Sequence, residues 1–226
     1  MAVKWFLKRD DASWSSFWDK TTIDDELKEA NNDYPMMLNA ILGNSHKESV
    51  VLEGGCGLGK FLFFLRGKNY NNLIGVDFTD KPLKLIKQRD PFIDVRKGDV
   101  NDLPIDDESI DLYLSMGVIE HFEEGPQQSL NEAIRVLKKN GIGIFQVPID
   151  YNRDTTFEDF SVTNKKERNK LFGQYDHVRI YGLDFFDRLQ KAGFSVERCE
   201  YTSKLPKEDI IKFCLPKKEI IPICRK

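Results

Sequence analysis

Val50-Val51-Leu52-Glu53-Gly54-Gly55-Cys56-Gly57-Leu58-Gly59-Lys60-Phe61-Leu62 is the stretch on which the fold turns. It opens as a short apolar run and passes through four glycines. It continues into Lys60-Phe61-Leu62-Phe63-Phe64-Leu65, whose apolar positions suit a helix packed on a sheet. Glycines crowd a strand-to-helix turn because they tolerate positive φ and, lacking a Cβ, let a ligand lie against the backbone. The N–H groups that open the next helix then favour a negatively charged ligand group.

Which ligand depends on spacing. A dinucleotide turn reads G-x-G-x-x-G, its third glycine allowing close helix–sheet packing. Counted from Gly55, that third slot is Lys60, and the glycines fall instead at Gly55, Gly57 and Gly59. Glu53 stands at the mouth of the turn, where a carboxylate repels a pyrophosphate. It suits a ligand with a positive amine, a sulfonium and one carboxylate for the helix end. S-adenosylmethionine (SAM) carries those groups. Taken alone, the turn reads equally well as a tight connection, with Cys56 as small filler in the loop.

Downstream, apolar runs alternate with helical patterns. Leu73-Ile74-Gly75-Val76-Asp77 is a second strand ending in an acid, one strand–helix–strand unit after Glu53. An acid at that strand tip can accept hydrogen bonds from ribose hydroxyls, although a helix cap or a surface acid reads the same way. Lys81 to Arg89 is a helix. Ile93 to Val100 is the third strand with its turn, and Asp99 stands where an acceptor can face the exocyclic amine of adenine. Ile110 to Leu114 is near-continuously apolar, as a buried parallel strand is. It leads into Ser115-Met116-Gly117-Val118-Ile119-Glu120-His121-Phe122, followed by a helix from Pro126 to Leu137 and a strand from Gly141 to Val147. The alternation predicts an α/β, doubly wound, mostly parallel sheet with helices on both faces, in a chain long enough for it to be six- or seven-stranded.

In order, Glu53-x-Gly55-x-Gly57-x-Gly59, Gly75-Val76-Asp77, Gly98-Asp99-Val100-x-x-Leu103-Pro104, Val118-Ile119-Glu120-His121 and Glu132-Ala133-x-Arg135-Val136-Leu137-Lys138-x-x-Gly141 resemble a class I SAM-dependent methyltransferase of the broad type 11 small-molecule group. The likeness covers about residues 45 to 150. Tyr181 to Gly193, then Phe194 to Glu200, resemble the family's last helix and strand, and Lys218 to Cys224 its closing hairpin strand. The resemblance implies that Gly55, Cys56, Gly57 and Gly59 approach the methionine part of SAM, with Glu53 near its amine. Asp77, with Phe78 beside it, would hold the ribose, Asp99 and Val100 would flank adenine, and Ser115 would border the sulfonium and the acceptor. The product would be S-adenosylhomocysteine.

The 226 residues predict one domain: a helical cap over 1–48, a SAM-binding core over 49–150, a substrate-side insert over 151–182, and a C-terminal helix with closing strands over 183–226. In the cap, Trp14, Phe17, Trp18, Ile23 and Leu27 repeat at helical spacing, and Pro35 opens a second helix over Met36 to Leu42. Trp18 reads either as core or as a wall of the acceptor cleft. Hydrophobic residues make up 40% and charged residues 31%, with net charge −3, a globular balance without the basic footprint of a nucleic-acid or anionic-membrane binder. No apolar run approaches a membrane span and Met1 to Asp10 is not a signal peptide. The four cysteines are scattered, so free thiols and a cytoplasmic location are expected, with the oligomeric state open.

Two histidines are candidates for taking a proton from the acceptor: His121, after the fourth strand, and His177, within Gln174-Tyr175-Asp176-His177-Val178-Arg179-Ile180-Tyr181-Gly182. Each reads alternatively as a hydrogen-bonding structural residue. Arg179 is a candidate anchor for a carboxylate or phosphate and Tyr175 a candidate wall of the acceptor site. The run Lys165 to Lys170 reads as a solvated helix face, and residues 203 to 219 as an exposed loop around an apolar piece. Some ubiquinone-pathway O-methyltransferases hold a divalent metal through Glu-x-x-Glu-His at the place of Glu120-His121. Here the first glutamate is Gly117, and no metal is expected. Two other readings compete with methyl transfer: an NAD(P)-dependent oxidoreductase, which shares the sheet and the ribose acid, and a SAM-binding protein without catalysis.

Overall fold

The computed structural model describes residues 18–123, 125–200, 206–212 and 220–226. Trp14, Phe17 and Cys214 lie outside the described residues. Trp18 to Lys20 form a turn rather than the expected helix. The chain turns helical only after Thr22, whose hydroxyl accepts the Asp25 N–H at 3.2 Å while the Asp25 carboxylate accepts the Thr22 N–H at 3.2 Å. That reciprocal cap starts α1, Ile23–Asp33. Pro35 then opens α2, Pro35–Gly43, where its missing N–H costs nothing.

The core follows as β1 (Val51–Gly54), α3 (Lys60–Gly67), β2 (Leu73–Asp77), α4 (Asp80–Arg89), β3 (Asp94–Lys97) and β4 (Ile110–Met116). After a single 3-10 turn, Ile119–His121, come α5 (Pro126–Val136) and β5 (Leu137–Gln146), joined without a loop. The insert holds β6 (Phe157–Glu158), α6 (Lys165–Phe172) and β7 (Arg179–Ile180). The chain closes with α7 (Asp184–Ala192), β8 (Ser195–Glu200), α8 (Lys207–Lys212) and β9 (Ile220–Arg225). The described part of the expected 203–219 loop is therefore largely helix α8.

Seven strands form one sheet in the order β3-β2-β1-β4-β5-β9-β8. Six strands run in one direction and β9 alone runs against them, antiparallel to both β5 and β8, which gives the expected doubly wound α/β architecture. Period-two alternation sorts the strands into two cores. Val51, Leu112, Leu114, Ile142 and Ile144 pack with Leu62, Leu65, Leu83 and Ile86 on one face. Leu52, Tyr113 and Phe145 pack with Leu130, Val136, Phe185 and Phe186 on the other. Burial on both faces explains why β1 and β4 read as nearly unbroken apolar runs. The order of β1 and β4 in the sheet reverses the chain's direction of travel, and the crevice at their carboxyl ends is where ligands of such sheets bind.

Candidate active site

A cleft of about 390 Å3 opens at those strand ends. Its floor is the glycine turn. Gly55 and Gly57 have φ of 72° and 48°, the left-handed region that side chains resist. A Cβ on Gly57 would run into the six-membered ring of Trp18, which lies across the turn. The Asp77 carboxylate fixes the turn from below. It accepts the Gly57 N–H at 2.9 Å on Oδ2, and the Thr79 N–H and hydroxyl at 2.9 and 2.5 Å on Oδ1. Charged acceptors of this kind make the stronger hydrogen bonds.

Glu53, next to the end of β1, lines the cleft and is 3% exposed. Its Oε2 has no hydrogen-bond partner among the described residues. Burial pushes its carboxyl up to about 8, against the pull of the Leu62 backbone and the Lys60 charge. Lys60 itself is tied to Glu26 at 3.1 Å and Glu29 at 2.8 Å, which clasps α1 over the start of α3. Glu26, Glu29 and Lys60 line the same cleft. Cys56 is buried beside Asp77 and Glu53, and burial raises its thiol far above the usual range, so it is packing rather than a nucleophile.

Phe78, Asp99 and Val100 line the cleft beside Asp77. The loop bearing them is pinned by α5. The Leu103 N–H donates to Glu132 at 2.8 Å, and Arg135 donates to the Leu103 carbonyl at 3.0 Å and to Glu132 at 2.8 Å. The Glu132-x-x-Arg135 part of the sequence pattern thus acts on this loop. Gly59 starts α3 at positive φ against Ile86 and is not among the lining residues, nor is buried Ser115. The wall at the tip of β4 is Met116, Gly117 and Val118.

The far end of the cleft joins the two histidine segments. The rings of His121 and His177 meet edge to face at 4.8 Å. His177 Nε2 lies 3.8 Å from Glu120 Oε1, and Glu120 Oε2 has no hydrogen-bond partner among the described residues. Since a carbonyl can only accept, His121 Nδ1 donates to the Asp176 carbonyl and His177 Nδ1 to the Phe172 carbonyl, each at 3.3 Å. Burial lowers His121 to about 4 and lowers His177 as well, with Asp176 pulling both the other way. Burial pushes Glu120 up to about 8, helped by Asp176. At neutral pH both imidazoles are uncharged.

Arg179 does not reach the cleft. It is 1% exposed, and its guanidinium donates to Glu158 at 2.9 Å and to the carbonyls of Ile119 and Glu123 at 2.9 and 3.1 Å. Tyr175 also stands outside the lining, with the Lys165 ammonium 5.1 Å over its ring. Sequence reasoning missed Glu26, Glu29, Lys60, Gln146 and Asp176 as lining residues, and gave Glu120 no role. The run Lys165 to Lys170 is a solvated face except for Arg168, which is fully buried.

Residues 52–145 match a family model described as a methyltransferase domain. That segment is a methyltransferase domain of the class I SAM-dependent kind. A probable S-adenosylmethionine-dependent methyltransferase of Mycolicibacterium smegmatis is 29% identical over 147 residues, 65% of this chain and 52% of that protein. An uncharacterized protein of Methanocaldococcus jannaschii is 36% identical over 146 residues, 63% of each chain. The chain therefore spans between about half and two thirds of the length of these relatives. The fold is shared with a crystal structure of an S-adenosylmethionine-dependent methyltransferase from Mesorhizobium loti, at TM-score 0.62 and 18% identity over 84% of this chain and 96% of that one. In the methyltransferase family the cofactor is SAM. An orphaned buried Glu53 oxygen and a glycine cradle that a Cβ would obstruct fit a cationic amino-acid ligand with that chemistry.

Proposed function

We propose that this chain transfers a methyl group from SAM to a small-molecule acceptor whose attacking atom must shed a proton. The observation that carries the reading is Glu53: a buried carboxylate oxygen without a hydrogen-bond partner among the described residues, facing a glycine turn among further acids. Such a group is costly to keep unless a cationic ligand meets it. SAM supplies a methyl carbon already activated by its sulfonium.

The residues divide the work by position. Gly55, Cys56, Gly57 and Gly59 shape the turn that takes the methionine part, with Glu53 on its ammonium. Asp77 and Phe78 face the ribose, and Asp99 and Val100 face adenine. Trp18 closes the turn from above and borders the acceptor. Ser115 holds the tip of β4 from behind Met116. His121 and His177, uncharged at neutral pH, stand with Glu120 where the acceptor's nucleophile and its proton are received. Exclusion of water by the clasped α1 and correct placement then carry much of the rate. Arg179 is a positioning residue, tying the insert to the carbonyls on either side of His121, and Tyr175 supports the same segment. Among the described residues Cys56, Cys199 and Cys224 form no disulfide, which fits a cytoplasmic setting. Among the described residues no helix is long and apolar enough to cross a membrane.

Calorimetry separates this reading from a nicotinamide-dependent one: SAM binds and NAD(H) does not. The reverse result removes the proposal. Incubation with methyl-labelled SAM and a metabolite extract separates it from binding without catalysis. Label in a small product is expected, and label that stays in SAM across extracts of varied source defeats the catalytic claim.

A further inference from the structure

We infer that Glu120, His121 and His177 form a binding site for one divalent transition-metal ion of the zinc, cobalt or manganese class. One ligand atom from each of the three residues lies within 4.8 Å of the others, at the buried end of the cleft. The set has the composition such ions take: two imidazole nitrogens and one carboxylate oxygen. The insert delivers His177 beside Glu120.

Three further features point to a ligand rather than to a packed polar cluster. Glu120 is 2% exposed, yet its Oε2 has no partner among the described residues, and its Oε1 approaches His177 Nε2 only to 3.8 Å. The His177 Nδ1 hydrogen is held by the Phe172 carbonyl, which leaves Nε2 as the lone-pair nitrogen and aims it at Glu120. The Asp176 carbonyl accepts from His121 Nδ1. A backbone carbonyl on the outer ring nitrogen is the arrangement that orients metal-bound histidines. Around a tetrahedral ion, neighbouring ligand atoms sit roughly 3.5 Å apart. A metal would therefore draw these side chains inward by about an ångström.

The three residues occupy one flank of the ion, and the side toward the cleft is left to water or acceptor. With the ion bound, the imidazole lone pairs are committed to it, so the proton of an acceptor hydroxyl bound there would pass to solvent on coordination, as that of bound water does, rather than to His121 or His177. The resulting oxygen would attack the methyl carbon as the C–S bond breaks and its electron pair returns to sulfur. No electrons are gained or lost overall, so no oxidant is needed. This last step rests on the methyl-transfer reading, whereas metal binding does not.

The test uses the tag-free full chain, stripped with a chelator and titrated with Co2+ while visible absorption and SAM calorimetry are followed in one preparation. One saturable equivalent with ligand-field bands is expected, together with a higher melting temperature. His177→Asn retains a donor for Phe172 but lacks Nε2, and Glu120→Gln retains shape without charge. Each should weaken Co2+ binding at least tenfold while SAM still binds. Absence of saturable binding, or affinity unchanged in both variants, overturns the inference. Co2+ binding without SAM binding would instead sink the methyl-transfer reading and leave the metal site standing.

Discussion

The proposed placement of the SAM amine at Glu53 makes binding a proton-releasing event. In the empty cleft burial holds its carboxyl at about 8, so at pH 7 the neutral form outweighs the ionised form by about ten to one. A ligand ammonium is met by the carboxylate, so binding at pH 7 expels about 0.9 proton per SAM. Ionising the group costs about 1.4 kcal/mol for each pH unit below 8, which lowers the affinity about tenfold per unit. Calorimetry at about pH 6 and about pH 7, in two buffers of different ionisation enthalpy, reads both quantities. The upper limit of the window is set by the amine of SAM, which titrates near the ordinary α-amino range of about 8. Glu53→Gln should abolish the proton release and flatten the slope. Glu120, raised to about the same value in the same cleft, is the control, and Glu120→Gln should leave both intact. Affinity independent of pH in the native chain, or an identical slope in Glu53→Gln, would refute the placement of the amine at Glu53.

Stability should depend on pH through the same buried groups. Glu53 and Glu120 are raised from 4.5 to about 8, so their contribution is present below 4.5 and is lost as pH rises toward 8. His121 is lowered from 6.5 to about 4, so its contribution is present above 6.5 and is lost as pH falls toward 4. Between 4.5 and 6.5 the two trends oppose. Above 6.5 only the carboxyls act, and the urea midpoint should fall from about pH 6.5 to about pH 8, with a flatter fall in the double Gln variant. Asp77→Ala removes the acceptor of three donors, one of them from Gly57, and should cost about 1–3 kcal/mol by urea denaturation and at least tenfold in SAM affinity. Unchanged affinity would exclude the tip of β2 as the ribose site. Gly57→Val forces a branched side chain into left-handed backbone against Trp18, and should abolish SAM binding while circular dichroism stays native. Trp18→Phe should lose any SAM-dependent change in tryptophan fluorescence, and an undiminished change would place the ligand away from that ring.

The sheet was legible because its physics is local. Both-face burial writes β1, β2 and β4 as apolar runs, and glycines with an acid mark the ends of the strands that hold a ligand. Trp18 was misread as helical because the helix boundary depends on the Thr22–Asp25 cap rather than on apolar spacing. His121 and His177 were each visible as candidates, but their meeting was not. Their contact at 4.8 Å joins the tip of β4 to the far end of the insert, a long-range pairing that periodicity does not encode. Arg179 illustrates the same limit. An arginine beside a histidine reads as an anion anchor, whereas burial commits it to two main-chain carbonyls and Glu158.

That guanidinium strut has a bearing on how this scaffold can diversify. His177 and Arg179 sit on one short segment, one facing the cleft and the other bracing the ground beneath His121. Grafting a different insert onto the core would remove one histidine of the pair and unsettle the other in a single stroke. Selectivity for a new acceptor is therefore reached more readily by point changes around this brace than by swapping the whole segment.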